Sequence, residues 1–255
     1  MITQNLAEPI QQSTRNTESD QLTQCKNDIE EYLYSIKELN VTDVSYSQDL
    51  HQDQIRTAAA VSRIEKIKKV PILQNEPIEN KLAFYKKIKE SDTNVATVEG
   101  KAIHSLRSLT GLDPINVGSF GLELNISSSD IDLGIGVPDS NYFEPVCNKL
   151  IEAGFKYKQA RDTRYLSEDQ ITKRFVFSKD MDGIEIDVSV YHTSDLFLLA
   201  DGGFKCRSTM SESDKAEHTW NKFKLKEQGM MDDYCIYKLE PYITYKPGFK
   251  WISIN

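Results

Sequence analysis

The stretch NVGSFGLELNISSSDIDLGIGV, Asn116–Val137, decides the fold of this chain. In it a Gly-Ser pair, Gly118 and Ser119, stands ten residues ahead of an aspartate pair, Asp130 and Asp132, that is set among apolar residues. Side chains alternate between the two faces of a strand, so both aspartates share one face and apolar residues occupy the other. Two carboxylates beside a buried face repel each other, and a divalent cation that prefers oxygen ligands, Mg²⁺ or Mn²⁺, is the simplest neutraliser.

A second acidic run, GIEIDVSVY at residues 183–191, repeats this alternation. Glu185 and Asp187 face the same way, so alternation alone does not choose between them. A third carboxylate would allow two metal ions to be bridged, which is the clamp used for in-line phosphoryl chemistry. Upstream, Gly118 permits close backbone approach, and Ser119, ahead of an expected short helix, can hold an anion together with nearby N–H groups. These features together predict a protein that handles nucleotides.

The motifs resemble those of the nucleotidyltransferase superfamily typified by DNA polymerase beta. The segment GSFGLELNISSSDIDL is similar in residue types and spacing to the signature of terminal nucleotidyltransferases, poly(A) polymerase relatives, and the cyclic-oligonucleotide and oligoadenylate synthases. The resemblance covers about Ile115 to Tyr191, less than a third of the chain. It implies an α+β fold with a polymerase-beta-like core, a short mixed sheet with flanking helices, preceded by a helical arm.

The resemblance also implies roles for the acids. Asp130 and Asp132 would ligate both metals, and Asp187 would be the third ligand and would help to activate an attacking hydroxyl. The family pattern places an aspartate directly before the more apolar continuation of its strand, which favours Asp187 over Glu185 as the third ligand.

Four residues are predicted to bind the nucleotide: Gly118, Ser119, Ser129 and Lys205. By resemblance, Gly118 and Ser119 would hold the triphosphate. Lys205 follows the third acid and could reach a triphosphate from there, although a surface turn explains it equally well. His192 is interpreted as a polar residue at a strand end in preference to a general base. A basic cluster is open to two interpretations, phosphate contacts or a solvated hairpin: Lys156, Lys158, Arg161, Arg164, Lys173 and Arg174.

The bulk composition describes a folded protein with an acidic balance. Its 255 residues are 39% hydrophobic, and 31 Lys+Arg against 39 Asp+Glu give a net charge of -8. This charge disfavours indiscriminate binding to phosphate backbones but leaves a local basic groove open. The four cysteines lack CxxC spacing, the N-terminus lacks a signal layout, and no apolar run reaches the length of a membrane span. We therefore expect reduced thiols and a cytoplasmic location without membrane contact.

The chain divides into four predicted segments. Residues 1–20 are a polar lead-in, 21–75 a helical arm, 76–205 the nucleotidyltransferase core, and 206–255 a C-terminal helical tail. The arm consists of two amphipathic helices that could pack on the core or bind a protein partner.

The predicted function is metal-dependent transfer of a nucleoside monophosphate from an NTP, ATP among the candidates, to a hydroxyl, with release of pyrophosphate. Candidate acceptors are a small molecule, a second nucleotide, an RNA 3′ end or a protein side chain. The acidic charge and the short tail rank a long RNA lowest. The alternative is a catalytically inactive module on the same fold that senses a nucleotide or binds a protein.

Overall fold

The computed structural model describes residues 17–39, 58–162 and 173–245. Within them lies a five-stranded mixed sheet of strand order β1-β2-β5-β4-β3. The central pair, β2 and β5, is parallel, and the three other pairings are antiparallel. The strands are β1 Ile115–Asn116, β2 Ile131–Val137, β3 Lys156–Asp162, β4 Lys173–Met181 and β5 Ile184–His192. The predicted α+β class with a short mixed sheet is confirmed.

Helices precede, interrupt and follow the sheet. The described part of α2 covers residues 58–67, and a 3₁₀ turn, Ser140–Tyr142, leads into α6. None of the helices in the described ranges is long and apolar enough to cross a bilayer. The remaining helices are α1 Glu18–Leu39, α3 Pro71–Gln74, α4 Ile78–Ser91, α5 Thr93–Thr110, α6 Phe143–Glu152, α7 Thr193–Thr209, α8 Glu212–Glu227, α9 Met231–Tyr237 and α10 Glu240–Tyr245.

One face of the sheet is the main apolar core. Ile131, Leu133 and Ile135 of β2 are fully buried on it, as are Val188 and Val190 of β5. This is the face that the alternation in both acidic runs predicts. Helices α1, α5 and α6 cover it, since their buried residues belong to the same cluster. Burial of these large aliphatic side chains stabilises the fold by about 1.5–3 kcal/mol each.

The opposite face carries the acids and is partly covered by α7. Gly134 and Gly136 lie on this face of β2, where a Cβ atom on Gly134 would overlap the side chain of Leu196. A Cβ atom on Gly136 would stand 3.1 Å from the backbone of Thr193. The two glycines therefore let α7 pack directly on β2.

A second apolar cluster joins the arm to the tail. Ile64 and Ile67 of α2 and Leu73 of α3 pack with Leu225 of α8 and Tyr237 of α9. In α1, residues on the apolar face lie in the main core. The apolar faces of both described arm helices are thus covered by the protein itself.

Several local predictions can be compared with the structure. Helix α8, in the predicted helical tail, begins with a capping box between Ser211 and Asp214. The short helix expected after Ser119 is wrong, because residues 118–123 form turns. Helix α1 begins at Glu18, within the predicted lead-in. The boundary predicted after residue 75 lies between α3 and α4, and the one predicted after residue 205 lies inside α7. The last part of the predicted helical tail, residues 246–255, lies outside the described residues.

Candidate active site

Three aspartates meet at one end of the parallel strand pair. Asp132 on β2 and Asp187 on β5 are direct partners in the register of the two strands. Asp130 stands immediately before β2, and alternation brings it to the same face as Asp132. One carboxylate oxygen from each residue lies within 4.8 Å of the other two. The structure therefore brings together the three acids that the sequence motifs singled out.

The electrostatics of this cluster show negative charge in excess. Burial, together with the charges of Asp130 and Asp187, raises the pKa of Asp132 to about 6, although Lys238 and Arg174 oppose the shift. Burial also raises the pKa of Asp187. Carboxylates held this close resist simultaneous ionisation, and a hard divalent cation with oxygen ligands compensates them.

The two acids of β5, Asp187 and Glu185, differ in their position relative to the cluster. Asp187 is half-buried and belongs to the cluster, whereas the side chain of Glu185 is 54% exposed and lies outside it. Lys158 of β3 donates to both, at 2.9 Å to Asp187 Oδ1 and 2.8 Å to Glu185 Oε1. These bonds lower the pKa of Asp187 but do not outweigh burial.

The Gly-Ser pair lies directly against the cluster. The N–H of Val117 donates to the carbonyl of Asp132 at 3.0 Å, which fixes the loop beside β2. A Cβ atom on Gly118 would overlap the carboxylate of Asp132. The loop then turns through a Leu124 N–H to Ser119 carbonyl bond of 2.8 Å. Ser119 therefore directly follows the residue that contacts Asp132.

A lysine from the tail completes this side of the site. Lys222 of α8 is 1% exposed, and its Nζ donates to Ser119 Oγ at 2.9 Å and to the Leu124 carbonyl at 2.8 Å. Burial and the nearby Lys238 lower the pKa of Lys222 to about 7, while Asp132 opposes the shift. A buried ammonium beside a Gly-Ser loop and a carboxylate cluster can pair with an anionic ligand.

Lys238, at the end of α9, is a second cation near the acids. Burial disfavours its charge, yet its pKa is raised because Tyr234, Asp132 and Asp130 favour the ammonium form. Lys238 also lies over the ring of Tyr234, 5.6 Å from the centroid. Two lysines from the C-terminal helices thus face the acids that the sheet supplies.

The three acids and the Gly-Ser loop thus stand together, as the resemblance of the sequence motifs to polymerase-beta-like nucleotidyltransferases predicts. No protein-family model matches the chain, and no curated protein matches its sequence. Among solved structures, the chain is similar to a cytoplasmic RNA terminal U-transferase, with a TM-score of 0.37 and 17% sequence identity over 60% of this chain. The chain spans 45% of that protein's length.

Three other residues singled out in the sequence have partners of their own. Ser129 Oγ accepts from the Ile126 N–H at 2.9 Å and so caps the turn before Asp130. Lys205 lies on α7 in an ion pair of 2.6 Å with Asp201. His192 Nε2 lies 3.0 Å from the hydroxyl of Tyr32, at the end of β5 away from Asp187. The nucleotide-binding roles of Ser129 and Lys205 remain predictions.

The two lysines of the site, Lys222 and Lys238, were missed in the sequence because no local motif marks them. One signal was present for Lys222. It stands at helical spacing between Thr219 and Leu225, both fully buried, so a lysine occupies the apolar stripe of α8. A charge at such a position needs a specific partner, and this is the pattern that sequence reading could have used.

Proposed function

We propose that the protein transfers a nucleoside monophosphate from an NTP to a hydroxyl, with release of pyrophosphate. The observation that carries the proposal is the juxtaposition of Ser119 and buried Lys222 with the carboxylates of Asp130, Asp132 and Asp187. A cluster of acids alone suits many cations. An anion-binding pair directly beside it suits a ligand that is itself a metal-bound polyphosphate.

The donor set fits Mg²⁺ or Mn²⁺. All three candidate ligands are carboxylates, and burial together with the neighbouring acids disfavours the charged form of Asp132, which a bound cation would favour. When bound, such ions supply Lewis-acid activation of the α-phosphate and charge neutralisation at the leaving pyrophosphate. Asp130 and Asp132 would hold these ions, and Asp187 would be the third ligand.

The protein's own residues then have separate tasks. Gly118 and Ser119 hold the triphosphate close to β2, and Lys222 neutralises its outer phosphates. Asp187 accepts the proton from the acceptor hydroxyl at a carboxylate oxygen. The hydroxyl oxygen forms its bond to the α-phosphorus, and the bond from that phosphorus to the bridging oxygen breaks. Most of the rate then comes from positioning and electrostatics.

The test compares wild type with Asp132→Asn. Each full-length protein is incubated with Mg²⁺ or Mn²⁺, one labelled NTP at a time, and acceptors from the candidate classes: an aminoglycoside-like alcohol, a nucleotide, a short RNA and a protein. We expect metal-dependent pyrophosphate release from wild type and a loss of at least about 100-fold in the variant. The mass of the labelled product identifies the acceptor class. Nucleotide binding without turnover by wild type in every combination would instead establish an inactive nucleotide-sensing module.

A further inference from the structure

Lys158 bridges the two acids of β5 from a strand that is not its neighbour. It stands at a bulge of β3, where the pairing with β4 skips from Tyr157 to Gln159, so Lys158 itself has no partner in the strand register. Bulges re-aim a side chain, and they are frequent next to active sites. Here the ammonium of Lys158 reaches past β4 and donates to Glu185 at 2.8 Å and to Asp187 at 2.9 Å.

A small side chain on β4 lies between Lys158 and these acids. Ser178 pairs with Lys156 of β3 and with Asp187 of β5, and partners in neighbouring strands share a face of the sheet. The acid-bearing face is therefore continuous from β3 to β5, with a serine on its middle strand. The side chain of Lys158 is 36% exposed. It can therefore leave Asp187 without a change in the strands.

The contact keeps Lys158 charged. Burial lowers the pKa of Lys158, but its hydrogen bonds to Glu185 and Asp187 outweigh burial and raise the pKa above its usual value. On Asp187 the same bond opposes the effect of burial, which raises the pKa of that acid. Lys158 is thus a counter-ion inside a face that carries the three clustered aspartates and Glu185. A divalent cation at the cluster would compensate the same negative charge.

Lys158 and a divalent cation need the same carboxylate. If Asp187 contacted both, it would hold two positive charges close together, and their repulsion is strong at a partly buried site. Glu185 lies outside the carboxylate cluster, has a side chain that is 54% exposed, and already accepts from Lys158. Lys158 therefore has a second partner that can hold it when Asp187 is a metal ligand.

We propose that Lys158 is the counter-ion of Asp187 in the metal-free protein, and that Asp187 exchanges this ammonium for a divalent cation while Glu185 retains it. This inference rests on the metal site of the proposed function. It gives the two acids of β5 different tasks, since Asp187 binds the cation and Glu185 keeps Lys158 beside the site. Metal binding is then weaker than the three aspartates alone would give, because the ion pair between Lys158 and Asp187 is lost in the exchange.

The test measures Mn²⁺ binding to the full-length protein by titration calorimetry at pH 8, above the raised pKa of Asp132. The variants are Lys158→Met and, as a matched control, Lys156→Met. Lys156 is an exposed lysine of the same strand and lies on the same face of the sheet. Both variants lose one positive charge, but of these two lysines Lys158 is the one that pairs with Asp187.

We expect Lys158→Met to bind Mn²⁺ about tenfold more tightly than wild type, because no ion pair is lost in the variant. Lys156→Met is expected to stay within about threefold of wild type, since the charge of an exposed lysine is screened by salt. In thermal unfolding, Lys158→Met is expected to melt below wild type in EDTA. This deficit shrinks in saturating Mn²⁺, because tighter binding stabilises the folded variant more.

The contrary outcomes are distinct. An unchanged or weaker Mn²⁺ affinity of Lys158→Met, or an equal melting deficit in EDTA and in Mn²⁺, overturns the proposal. Absence of Mn²⁺ binding in wild type and both variants overturns it together with the metal site. Mn²⁺ binding without pyrophosphate release in any of the transfer assays overturns the proposed transfer alone.

Discussion

Gly118 lies against Asp132 so closely that a single Cβ atom on the glycine would overlap the aspartate carboxylate. The backbone of Val117 is bonded to the carbonyl of the same aspartate, so the loop has little freedom to retreat. A glycine at this position therefore does more than permit a turn, since it leaves the space in which the carboxylate stands.

Replacement Gly118→Ala is expected to displace the Asp132 carboxylate and to reduce metal-dependent turnover by about 100-fold or more, because small misplacements of catalytic groups are costly. Gly100→Ala on α5 is the matched control, since a Cβ atom there meets nothing within 4 Å. Steady-state kinetics and the melting temperature of both variants are compared. Full activity in Gly118→Ala would show that the carboxylate has room to move.

The choice between the two acids on β5 can be decided by metal binding. Asp187→Asn removes a member of the carboxylate cluster and is expected to weaken Mn²⁺ binding at least tenfold. Glu185→Gln, whose side chain is half exposed and outside the cluster, is expected to change Mn²⁺ affinity less than threefold. Titration calorimetry measures both. The reverse order of effects would make Glu185 the third ligand.

The buried lysine of α8 predicts a particular dependence of stability on pH. The pKa of Lys222 is lowered from 10.5 to about 7 on folding, so above pH 7 the unfolded chain holds a proton that the folded chain does not. The contribution of this group to the free energy of unfolding therefore rises with pH from 7 towards 10.5, by at most about 1.4 kcal/mol per unit. Lys222→Met is expected to flatten this slope in urea unfolding between pH 7 and 9. An unchanged slope contradicts the assignment.

The same substitution tests the lysine as a ligand for the triphosphate. Lys222→Met is expected to weaken NTP affinity about tenfold or more, because a charge-assisted contact of this kind contributes about 1.5–3 kcal/mol. Lys226→Met, one turn further along α8, is the control, since Lys226 donates to the Ser128 carbonyl at 3.0 Å from an exposed position. Equilibrium dialysis with each labelled NTP gives both values. Similar losses in the two variants would argue against a specific role.

A buried ion network ties the arm to the tail and predicts a stability effect away from the site. Glu240 lies 3.1 Å from His218 Nδ1 and 2.9 Å from Lys68 Nζ. Burial raises the pKa of Glu240, but these two partners outweigh it and hold the pKa at about 2. Glu240→Gln is expected to cost about 2–4 kcal/mol of unfolding free energy at pH 7, against less than about 0.5 for the exposed Glu227→Gln.

The pH dependence of this effect has a definite sign. Because the folded pKa of Glu240 is below its ordinary value of 4.5, its contribution is complete above pH 4.5 and is lost as the pH falls towards 2. Chemical unfolding of wild type and Glu240→Gln at pH 7, 4 and 3 measures the difference, which should shrink with acidification. A constant difference would show that the carboxylate acts through packing alone.

The acid-bearing strands and the shared face of their acids could be predicted from local periodicity, whereas the choice of Asp187 over Glu185 came from the resemblance to the nucleotidyltransferases. Alternation in β2 and β5 sets which residues point into the core, and the parallel pairing of Asp132 with Asp187 needs only that the two acidic strands be neighbours. The turn after Ser119 could not be predicted from local sequence, because its geometry depends on hydrogen bonds from Lys222, which is distant in the chain. Local pattern predicts the strand and its faces, but contacts between distant segments decide how a loop closes.

The role of the basic cluster on β3 and β4 could not be predicted from local sequence either. In sequence, phosphate contacts and a solvated hairpin were equally good interpretations of it. The bulge at Lys158 decides which of its members reach the acid-bearing face, and a single extra residue shifts every later side chain of β3 by one position. Neither composition nor spacing predicts that shift. The pairing of Arg161 with Arg174 is therefore known only from the strand register in the structure.

Two contacts of the sheet join residues at very different separations along the chain. The β4–β5 hairpin turns over Asp182 and Gly183, both with positive φ, and so forms locally. Helix α1 reaches the same sheet through Asp28 and Tyr157, 129 residues apart. Closing so long a loop is entropically costly, so we expect α1 to dock on the sheet after the hairpin has formed.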